Sequence, residues 1–582
     1  TWFAEGDGNT RYFHRMADSR KSVNTITTLV DDSGTQIDSQ QGIADHCALY
    51  FENLLSDDID PYSLEQDDMN LLLTYRCPGS QVADLEAMFS DEDIKAAFFG
   101  LPSNKACGPD GFPVEFFNAA WSCIGVEVTA AVREFFISGN LLKQWNATTI
   151  VLIPKFPNAS CTSDFRPISC MNTLYKVIAR LLTDRLQKLL SCVISPSQSA
   201  FLPGRLLAEN VLLATEMVHG YNWRNISPRG MLKVDLRKAF DSVRWEFIIA
   251  ALLALGVPTK FINWIHQCIS TPTFTVSVNG CCGGFFKSAK RLRQGDPLSP
   301  YLFVLAMEVF SKLLHSRFDS GYIRYHPKAS DLSISHLMFA DDVMIFFDGG
   351  SSSLHGICET LEDFASWSGL KVNKDKSHFF CADLEQAERN SLAAYGFPQG
   401  CLPIWYLGLP LMCRKLRIAE YEPLLEKISK KFRSWATNCL SYAGRVQLIA
   451  SVIYGTVNFW MSTFLLPKGC IKKIESLCAR FLWAGNIDGS RGAKVSWSAL
   501  CLPKNEGGLG LRRFSEWNKT LCLRLIWLLF NHQGSLWVSW HSHHHLRSRS
   551  FWDVAPSPSD PWSWRMLLFL RPLAEQFVKC NL

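Results

Sequence analysis

Two widely separated parts of the sequence place carboxylates where they could hold metal ions. Asp341 and Asp342 are adjacent and lie between two short apolar segments, and Asp235 follows another apolar run earlier in the chain. Ionised carboxylates are costly to bury unpaired, and a divalent cation removes that cost. Mg²⁺ prefers one or two carboxylates together with phosphate oxygens. Such a cluster would suit phosphoryl transfer, in which metal ions stabilise the attacking and leaving oxygens.

A pair of adjacent aspartates is by itself weak evidence for this chemistry. Aspartate is common in exposed turns, so an isolated Asp341-Asp342 pair would more often be an ordinary turn. Asp235 changes that interpretation if it lies beside the pair. Asp241 follows Asp235 closely and is expected to cap the next helix, outside the metal site.

The elements predicted around the aspartates would bring them together. Met231–Asp235 is a short apolar run that indicates a buried strand. Two further strands, Ser333–Met338 and Val343–Phe347, flank Ala340-Asp341-Asp342 and predict a β-hairpin with carboxylates at its tip. On an antiparallel sheet, Asp235 would then lie beside that tip.

Other segments predict an α+β fold, with helices on one face of an antiparallel sheet. Further strands are predicted at 149–153 and 274–278, the second followed by the turn residues Asn279-Gly280. Helices are predicted at 172–190, 242–255 and 298–315. After residue 411 the pattern is mostly helical and basic.

The composition indicates a folded protein with more than one core. The chain has 582 residues, of which 47% are hydrophobic and 19% charged, and this excludes intrinsic disorder. Residues 1–100 carry 6 Lys/Arg and 19 Asp/Glu, whereas residues 411–515 carry 17 and 6. The basic segment could contact a polyanion or could be a solvated charged face, and charge alone leaves both interpretations open.

Cysteine and histidine patterns give no sign of a structural metal site. The 20 cysteines include no C-x-x-C spacing, which argues against a zinc ribbon or knuckle, and they are expected to be reduced. The histidines at 541 and 543–545 are predicted to lie in a solvent-exposed loop. Apolar runs are too short to span a bilayer, so no membrane contact is expected. Because no signal peptide is recognisable, an intracellular protein, nuclear and/or cytoplasmic, is expected.

Several sequence blocks follow one another in a fixed order between about Asp91 and Pro410. They read LIPK at 152–155, DFRPIS at 164–169, SQSAF at 197–201, DLRKAFD at 235–241, RQGDPLSP at 293–300, FADD at 339–342, GLKVNKDKS at 369–377 and YLGLP at 406–410. This series resembles the reverse transcriptase of non-LTR retrotransposons, the long interspersed element type, in the form common in plant genomes. Looser likeness extends to both ends, as in EGDGNT at 5–10 and GGLG at 507–510.

The resemblance implies a right-hand polymerase with fingers, palm and thumb. The expected organisation is an acidic connector at residues 1–90 and fingers and palm, with an antiparallel palm sheet, at 91–410. A basic helical thumb-like region at 411–515 and a mostly helical, truncated C-terminal extension at 516–582 would follow. Full-length members of this family carry an endonuclease and often a zinc-binding or ribonuclease H domain, so the chain is expected to be a partial reading frame.

The resemblance also implies roles for individual side chains. Asp235, Asp341 and Asp342 would be catalytic and would bind two Mg²⁺ ions. Phe240 would exclude the 2′-hydroxyl of a ribonucleotide, and either Lys374 or Lys376 would protonate the departing pyrophosphate. The other expected nucleotide-binding residues are Lys155, Arg166, Leu236, Gln294 and Gly295, and the expected nucleic-acid contacts are Arg205, Lys427, Lys430, Lys431 and Arg433.

The expected activity is RNA-directed DNA synthesis, in which a primer 3′-hydroxyl attacks the α-phosphate of a deoxynucleoside triphosphate. The partners would be an RNA template, a DNA primer and dNTPs. The alternatives are a group II intron maturase and a catalytically silent, polymerase-shaped RNA-binding or scaffold protein. The KAFD and YLGLP blocks favour the retrotransposon type over the maturase, and the three intact carboxylates argue against a silent protein.

Overall fold

A computed structural model describes residue 22 and residues 24–31, 33–56, 64–435, 440–488, 493–531 and 534–577. The EGDGNT block at 5–10 therefore lies outside the described residues. Within the described part of the chain, no helix is both long enough and apolar enough to cross a membrane.

The described strands form two four-stranded sheets and two short hairpins. In chain order they are β1 Leu29–Val30, β2 Gln36–Ile37, β3 Ala147–Pro154, β4 Phe165–Met171, β5 Arg229–Val234, β6 Thr273–Val278, β7 Cys281–Lys287, β8 His336–Phe339, β9 Asp342–Phe347, β10 His378–Ala382, β11 Ile404–Tyr406 and β12 Leu409–Leu411. One sheet, the central sheet, has the order β10-β5-β9-β8 with every neighbouring pair antiparallel. The second sheet has the order β4-β3-β6-β7, and its β3 and β6 run parallel.

Helices surround both sheets and make up the C-terminal part of the chain. In order they are α1 Gln40–Ser56, α2 Gln66–Leu72, α3 Gly79–Glu86, α4 Asp91–Phe99, α5 Val114–Ser138, α6 Thr173–Val193, α7 Leu207–Val218, α8 Ala239–Ser242, α9 Trp245–Ala254, α10 Thr259–Ser270, α11 Ser299–Asp319, α12 Ser351–Ser368, α13 Gln386–Ala393, α14 Glu422–Ser434, α15 Tyr442–Leu448, α16 Tyr454–Met461, α17 Lys468–Ala484, α18 Trp497–Leu500, α19 Phe514–Asn531, α20 Leu536–His541 and α21 Trp562–Glu575. Two π-helical turns, Ile449–Ile453 and Ser542–Leu546, continue α15 and α20.

The central sheet separates the two largest hydrophobic cores. Successive side chains of a strand point to opposite faces, and in β9 Val343 and Ile345 belong to one core while Met344 and Phe346 belong to the other. Both faces are covered, which is why the strand reads as a continuous apolar run rather than as an alternating one. A third core lies between α1 and the second sheet.

The structure confirms most of the predicted elements and corrects two. The strands and helices predicted at 149–153, 172–190, 274–278 and 298–315 are present with shifted ends. The helix predicted at 242–255 is instead two helices, α8 and α9, because Val243 and Arg244 are extended. The sheets are not all antiparallel, since β3 pairs with β6 in parallel. The overall mixture of helices and sheets agrees with the predicted α+β class.

Two of the three predicted domain boundaries fall inside an element of secondary structure. The boundary at 410/411 falls inside β12, and the boundary at 515/516 falls inside α19. Residues on both sides of each boundary contribute to one core that also includes α7. The fingers, palm and thumb assignments therefore stay predictions, and the C-terminal helices are packed as part of the same body.

Candidate active site

A tight hairpin presents two of the predicted carboxylates. Phe339 pairs with Asp342 at the end of the β8–β9 ladder, which leaves Ala340 and Asp341 as a two-residue turn. Ala340 has a φ of 54°, the left-handed conformation that such hairpin turns require. The turn places Asp341 at the exposed tip and Asp342 at the half-buried start of β9.

A buried glutamine fixes this hairpin tip from below. Gln198 is fully buried, and its Oε1 accepts hydrogen bonds of 3.0 Å from the backbone N–H groups of Ala200 and Ala340. The adjacent backbone also bonds to β8, since Ser199 N–H donates to Met338 O at 3.0 Å and Met338 N–H to Ser197 O at 2.8 Å. The SQSAF block therefore supports the hairpin turn.

A second segment holds Asp235 at the end of β5. The Asp235 N–H donates to Ser377 Oγ at 2.9 Å, and the Asn373 N–H donates to Asp235 O at 2.8 Å. Ser377 in turn donates its hydroxyl proton to Asn373 O at 2.7 Å. These bonds come from the GLKVNKDKS block and fix the backbone from which the Asp235 carboxylate projects.

The three carboxylates converge at one edge of the central sheet. The register pairs Val234 with Val343, so Asp235 lies across from Asp342. Desolvation raises the pKa of Asp341, and the charges of Asp342 and Asp235 raise it further. Desolvation also raises the pKa of Asp342, with Lys233 opposing and Asp235 adding to the shift. Asp341 has exposed surface, but it lies in a concave cleft whose walls remove much of its water.

The donor chemistry at this edge fits a hard divalent cation. Carboxylate oxygens are the ligands that Mg²⁺ prefers, and a cation would relieve the repulsion that raises the two pKa values. The carboxylate oxygens of the three aspartates do not all lie within 4.8 Å of one another. Among the described residues, a different group of side chains has that spacing.

The carboxylates share one open cleft with a group of basic side chains. The cleft has a volume of about 870 Å³, and Asp235, Asp241 and Asp341 line it. Its basic lining residues are Lys155, Arg166, Arg237, Lys238, Arg244, Lys290, Lys371 and Lys376. Desolvation lowers the pKa of Lys155, and Lys376 and Arg166 lower it further. A polyphosphate chelated to a cation would complement both kinds of charge.

Two predicted triphosphate contacts, Lys155 and Arg166, lie at one end of the second sheet. Arg166 pairs with Ile153 across β3 and β4, and Lys155 follows β3 directly. Both side chains are exposed into the cleft. The Lys155 ammonium donates a hydrogen bond of 2.6 Å to Ser163 O, whereas the Arg166 guanidinium makes no hydrogen bond to the described part of the chain.

Phe240 and Leu236 occupy the boundary between the cleft and the core. Phe240 is half-buried, stacks on Phe303 with ring centroids 4.6 Å apart, and lines the cleft. Leu236 is 8% exposed, lines the cleft and forms a bridge with Val372. The position of Phe240 is therefore compatible with a packing role in the core and with a contact to a nucleotide in the cleft.

The RQGDPLSP block bends between the two sheets. Gln294 lines the cleft, and its carbonyl accepts a 2.9 Å hydrogen bond from Ser169 N–H. Gly295 has a φ of 110°, and a Cβ there would lie 3.1 Å from Ser169 O, so the position requires glycine. Asp296 is buried and accepts from Leu298 N–H at the start of α11.

The structure distinguishes the two candidate general acids. Lys376 lines the cleft with the carboxylates. Lys374 lies on the far side of the same turn, where its ammonium is 5.7 Å from the Phe397 ring centroid and lines a separate pocket. Lys376 is therefore the candidate that the geometry retains.

Arg205 and Asp241 have structural contacts that differ from their predicted roles. The Arg205 guanidinium donates to the carbonyls of Ile194, Ser195 and Gln198 at 2.5–2.6 Å. Its donors are occupied by a loop, so the expected contact with template or nucleotide is not supported. Asp241 does not cap a helix; it is buried inside α8 and forms an ion pair of 3.2 Å with Arg291.

The predicted thumb-like helix, α14, is strongly amphipathic. Its buried face contains Leu424, Leu425, Ile428 and Phe432. Lys427, Lys430 and Lys431 line one shallow groove on the opposite side. Arg433 is exposed but lies 3.3 Å from Asp488, so its charge is already partly compensated.

The prediction of an exposed histidine loop is wrong. His541 ends α20 with no exposed surface, and His543–His545 continue it as a π-helical turn.

Tyr50 of α1 is a cleft residue that the sequence analysis does not identify. It lines the cleft and accepts a hydrogen bond of 3.0 Å from Lys238 Nζ. The local sequence pattern does not indicate that the acidic N-terminal segment packs beside this cleft.

Comparison with known proteins gives one family match. The family described as reverse transcriptase (RNA-dependent DNA polymerase) matches residues 153–411. An uncharacterised 149 kDa protein of transposon TX1 from Xenopus laevis is 26% identical over 87% of this chain and 38% of its own length. A retrovirus-related Pol polyprotein from the type-2 retrotransposable element R2DM of Drosophila melanogaster is 28% identical over 49% of this chain and 26% of its own length.

A putative ribonuclease H protein of Arabidopsis thaliana is 32% identical over a shorter stretch, 22% of this chain and 21% of its own length. The chain thus spans at most 38% of the length of these three relatives. The plant form and the partial reading frame stay predictions. The matched residues include the hairpin and most of the residues that line the cleft, but not Tyr50, Phe51 and Leu54. Residues 153–411 are thus similar to reverse transcriptases, and the relatives of the chain include proteins of transposon TX1 and of the retrotransposable element R2DM.

Proposed function

We propose that this chain copies RNA into DNA at a centre in which Asp235, Asp341 and Asp342 hold two Mg²⁺ ions. The observation that carries the proposal is that these carboxylates meet at one edge of the central sheet, where Asp235 and Asp341 line a cleft together with basic side chains. A nucleotidyl transfer needs both features, since carboxylates bind metal ions and cations bind the triphosphate.

The metal ions would stabilise the charge that develops on the attacking and leaving oxygens. Asp235 and Asp341 would bind both ions, and Asp342 would assist. The backbone bonds from Gln198 and Ser377 fix the two carboxylate segments before substrate arrives. Such preorganisation lowers the cost of assembling the site during the reaction.

The remaining cleft residues would position the nucleotide. Lys155 and Arg166 would hold the triphosphate, with the guanidinium fork matching phosphate oxygens. Leu236, Gln294 and Gly295 would contact the sugar and base, and Phe240 would exclude a 2′-hydroxyl. Lys376 would deliver a proton to the departing pyrophosphate.

The template–primer duplex would lie along α14. Lys427, Lys430 and Lys431 would neutralise backbone phosphates without reading sequence. Arg433 would contribute less because of its ion pair with Asp488. A DNA primer annealed to an RNA template is therefore the proposed nucleic-acid partner.

Primer extension by the purified chain tests the proposal. A labelled DNA primer annealed to an RNA template is incubated with dNTPs and Mg²⁺, and the same primer on a DNA template is compared. Extension on RNA that requires a divalent cation is expected. A correctly folded chain that binds the hybrid tightly but adds no nucleotide would support the silent scaffold alternative instead.

A further inference from the structure

The C-terminal helices place two histidines against a buried glutamate of α7. α20 ends at His541 and continues into the π-helical turn Ser542–Leu546, in which Arg547 N–H donates to Ser542 O at 2.9 Å. His541 and His545 therefore lie about one turn apart on the same side. They face Glu216, which lies far earlier in the chain.

The three side chains have the spacing of metal ligands. One ligand atom from each of Glu216, His541 and His545 lies within 4.8 Å of the other two. Among the described residues, this is the group of His, Cys, Asp and Glu side chains that meets that spacing. His545 Nε2 is 3.5 Å from Glu216 Oε2, longer than a good hydrogen bond.

His541 gives independent evidence that a ligand is needed there. Its residue surface is 0% exposed, and neither ring nitrogen has a hydrogen-bond partner. A buried polar group without a partner costs about 1–3 kcal/mol, so such groups are rare in folded proteins. A cation bound to one ring nitrogen would provide the partner that the protein itself does not.

Neighbouring side chains fix the orientation of all three groups. The indole of Trp564 stacks on both imidazoles, at centroid distances of 5.0 Å to His541 and 4.6 Å to His545. The Ser563 hydroxyl donates a hydrogen bond to Glu216 Oε1, which leaves Oε2 directed at the histidines. Second contacts of this kind orient ligands in established metal sites.

We propose that Glu216, His541 and His545 bind one Zn²⁺ ion, which fastens the C-terminal helices to α7. Two imidazoles and one carboxylate are a ligand set that zinc uses, whereas Mg²⁺ prefers oxygen ligands throughout. The site is separate from the carboxylate edge of the central sheet. Its role would be structural, because α7 also supports that sheet through Asn210, whose side chain donates to Met338 O at 2.9 Å.

Zinc binding to the whole purified chain tests this inference. Metal-free protein is titrated with Zn²⁺ against a chromophoric chelator, and thermal unfolding is followed with and without Zn²⁺. Wild type should bind one tight equivalent and gain a few degrees in Tm. His541→Gln should lose both effects. His543→Gln is the matched control, since His543 is exposed and outside the group, and it should retain both.

Two results would overturn the inference: a wild-type chain that takes up no tight zinc, or a His541→Gln chain that takes up as much as wild type. If His541→Gln does not fold, the wild-type chain loaded with Co²⁺ still tests the inference. Visible d–d bands without a thiolate-to-cobalt charge-transfer band are expected, because the ligands are nitrogen and oxygen. A thiolate band would place the ion on cysteines and contradict the assignment.

Discussion

Asp341 and Asp342 lie where ionised carboxylates are unfavourable unless a cation joins them. Desolvation raises both pKa values, and the neighbouring charges of the cluster add to the effect. Lys233 opposes the shift of Asp342, but its ammonium also donates to Trp405 O at 2.7 Å. The ionised forms therefore carry a local electrostatic cost at this edge, which the proposed metal ions would relieve.

Substitution of Phe240 tests whether the cleft selects the sugar of the incoming nucleotide. Phe240→Ala should raise ribonucleotide incorporation relative to deoxyribonucleotide by on the order of tenfold or more, because the ring would no longer fill space beside the 2′-carbon. Competition between rNTP and dNTP in primer extension measures the ratio. Phe240→Tyr is the matched control that retains the ring. Unchanged selectivity in a folded Phe240→Ala protein would assign Phe240 to the core alone.

The two lysines of the GLKVNKDKS block provide a matched pair of substitutions. Lys376→Ala should lower the single-turnover rate by roughly a hundredfold, the lower end of what general acids contribute, because Lys376 lines the cleft. Lys374→Ala should change the rate little, because its ammonium lies beside Phe397. Equal effects of both substitutions would contradict the assignment of the proton to Lys376.

Sequence pattern indicates which carboxylates can come together better than it indicates the contacts that hold them. Asp235 and Asp341-Asp342 were predicted from carboxylates at the ends of apolar runs. The choice between Lys374 and Lys376 could not be made, since two residues of one short turn can point to different pockets. His541 was misjudged because the residue it faces, Glu216, is brought near by tertiary packing alone.

Among the elements, the segments that support the β8–β9 hairpin are distant from it in sequence. Periodicity predicted the hairpin and β5, but the Gln198 bond to Ala340 and the Ser377 bond to Asp235 depend on packing between elements. The parallel pairing of β3 with β6 was also missed. The local sequence pattern shows which side chains of a strand share a face. It does not show which strands lie beside it, because that depends on long-range contacts.

The lysines on the exposed face of α14 are expected to contribute electrostatically to binding of the RNA–DNA hybrid. Replacing Lys427, Lys430 and Lys431 by Gln should weaken binding and flatten the plot of log K against log salt by about one unit per lysine. Arg433→Gln is the control, and it should have a smaller effect because Arg433 is paired with Asp488. Fluorescence anisotropy over a salt series measures the slope. An unchanged slope in the triple variant would contradict this placement of the duplex.

In the whole molecule, the C-terminal helices share a hydrophobic core with the region that matches the reverse transcriptase family. Phe514, Ile526, Trp540 and Trp564 are buried in the same cluster as residues of β8, β9 and α7. Residues on both sides of the predicted boundary at 515/516 therefore contribute to one core. Hydrophobic periodicity cannot reveal this arrangement, since it shows that a helix has a buried face and not which core receives that face.

Truncation tests this shared core. A chain ending at residue 515 should unfold at a clearly lower temperature or aggregate. Each large buried side chain lost is worth about 1.5–3 kcal/mol, and several together approach the total stability of a domain. A chain ending at residue 577 is the control and should match the full chain. Thermal unfolding followed by near-ultraviolet circular dichroism compares them, and an unchanged Tm after truncation at 515 would show an independent extension.

The most direct measurement of the central claim is RNA-templated primer extension by Asp341→Ala. The account predicts a loss of nucleotide addition of roughly a thousandfold or more, with hybrid binding nearly unchanged, because Asp341 serves the metal ions and not the duplex. Asp375→Ala is the matched control, since Asp375 is exposed on the nearby turn and does not line the cleft, and it should extend primers normally. Substantial extension by a folded Asp341→Ala chain would contradict the account.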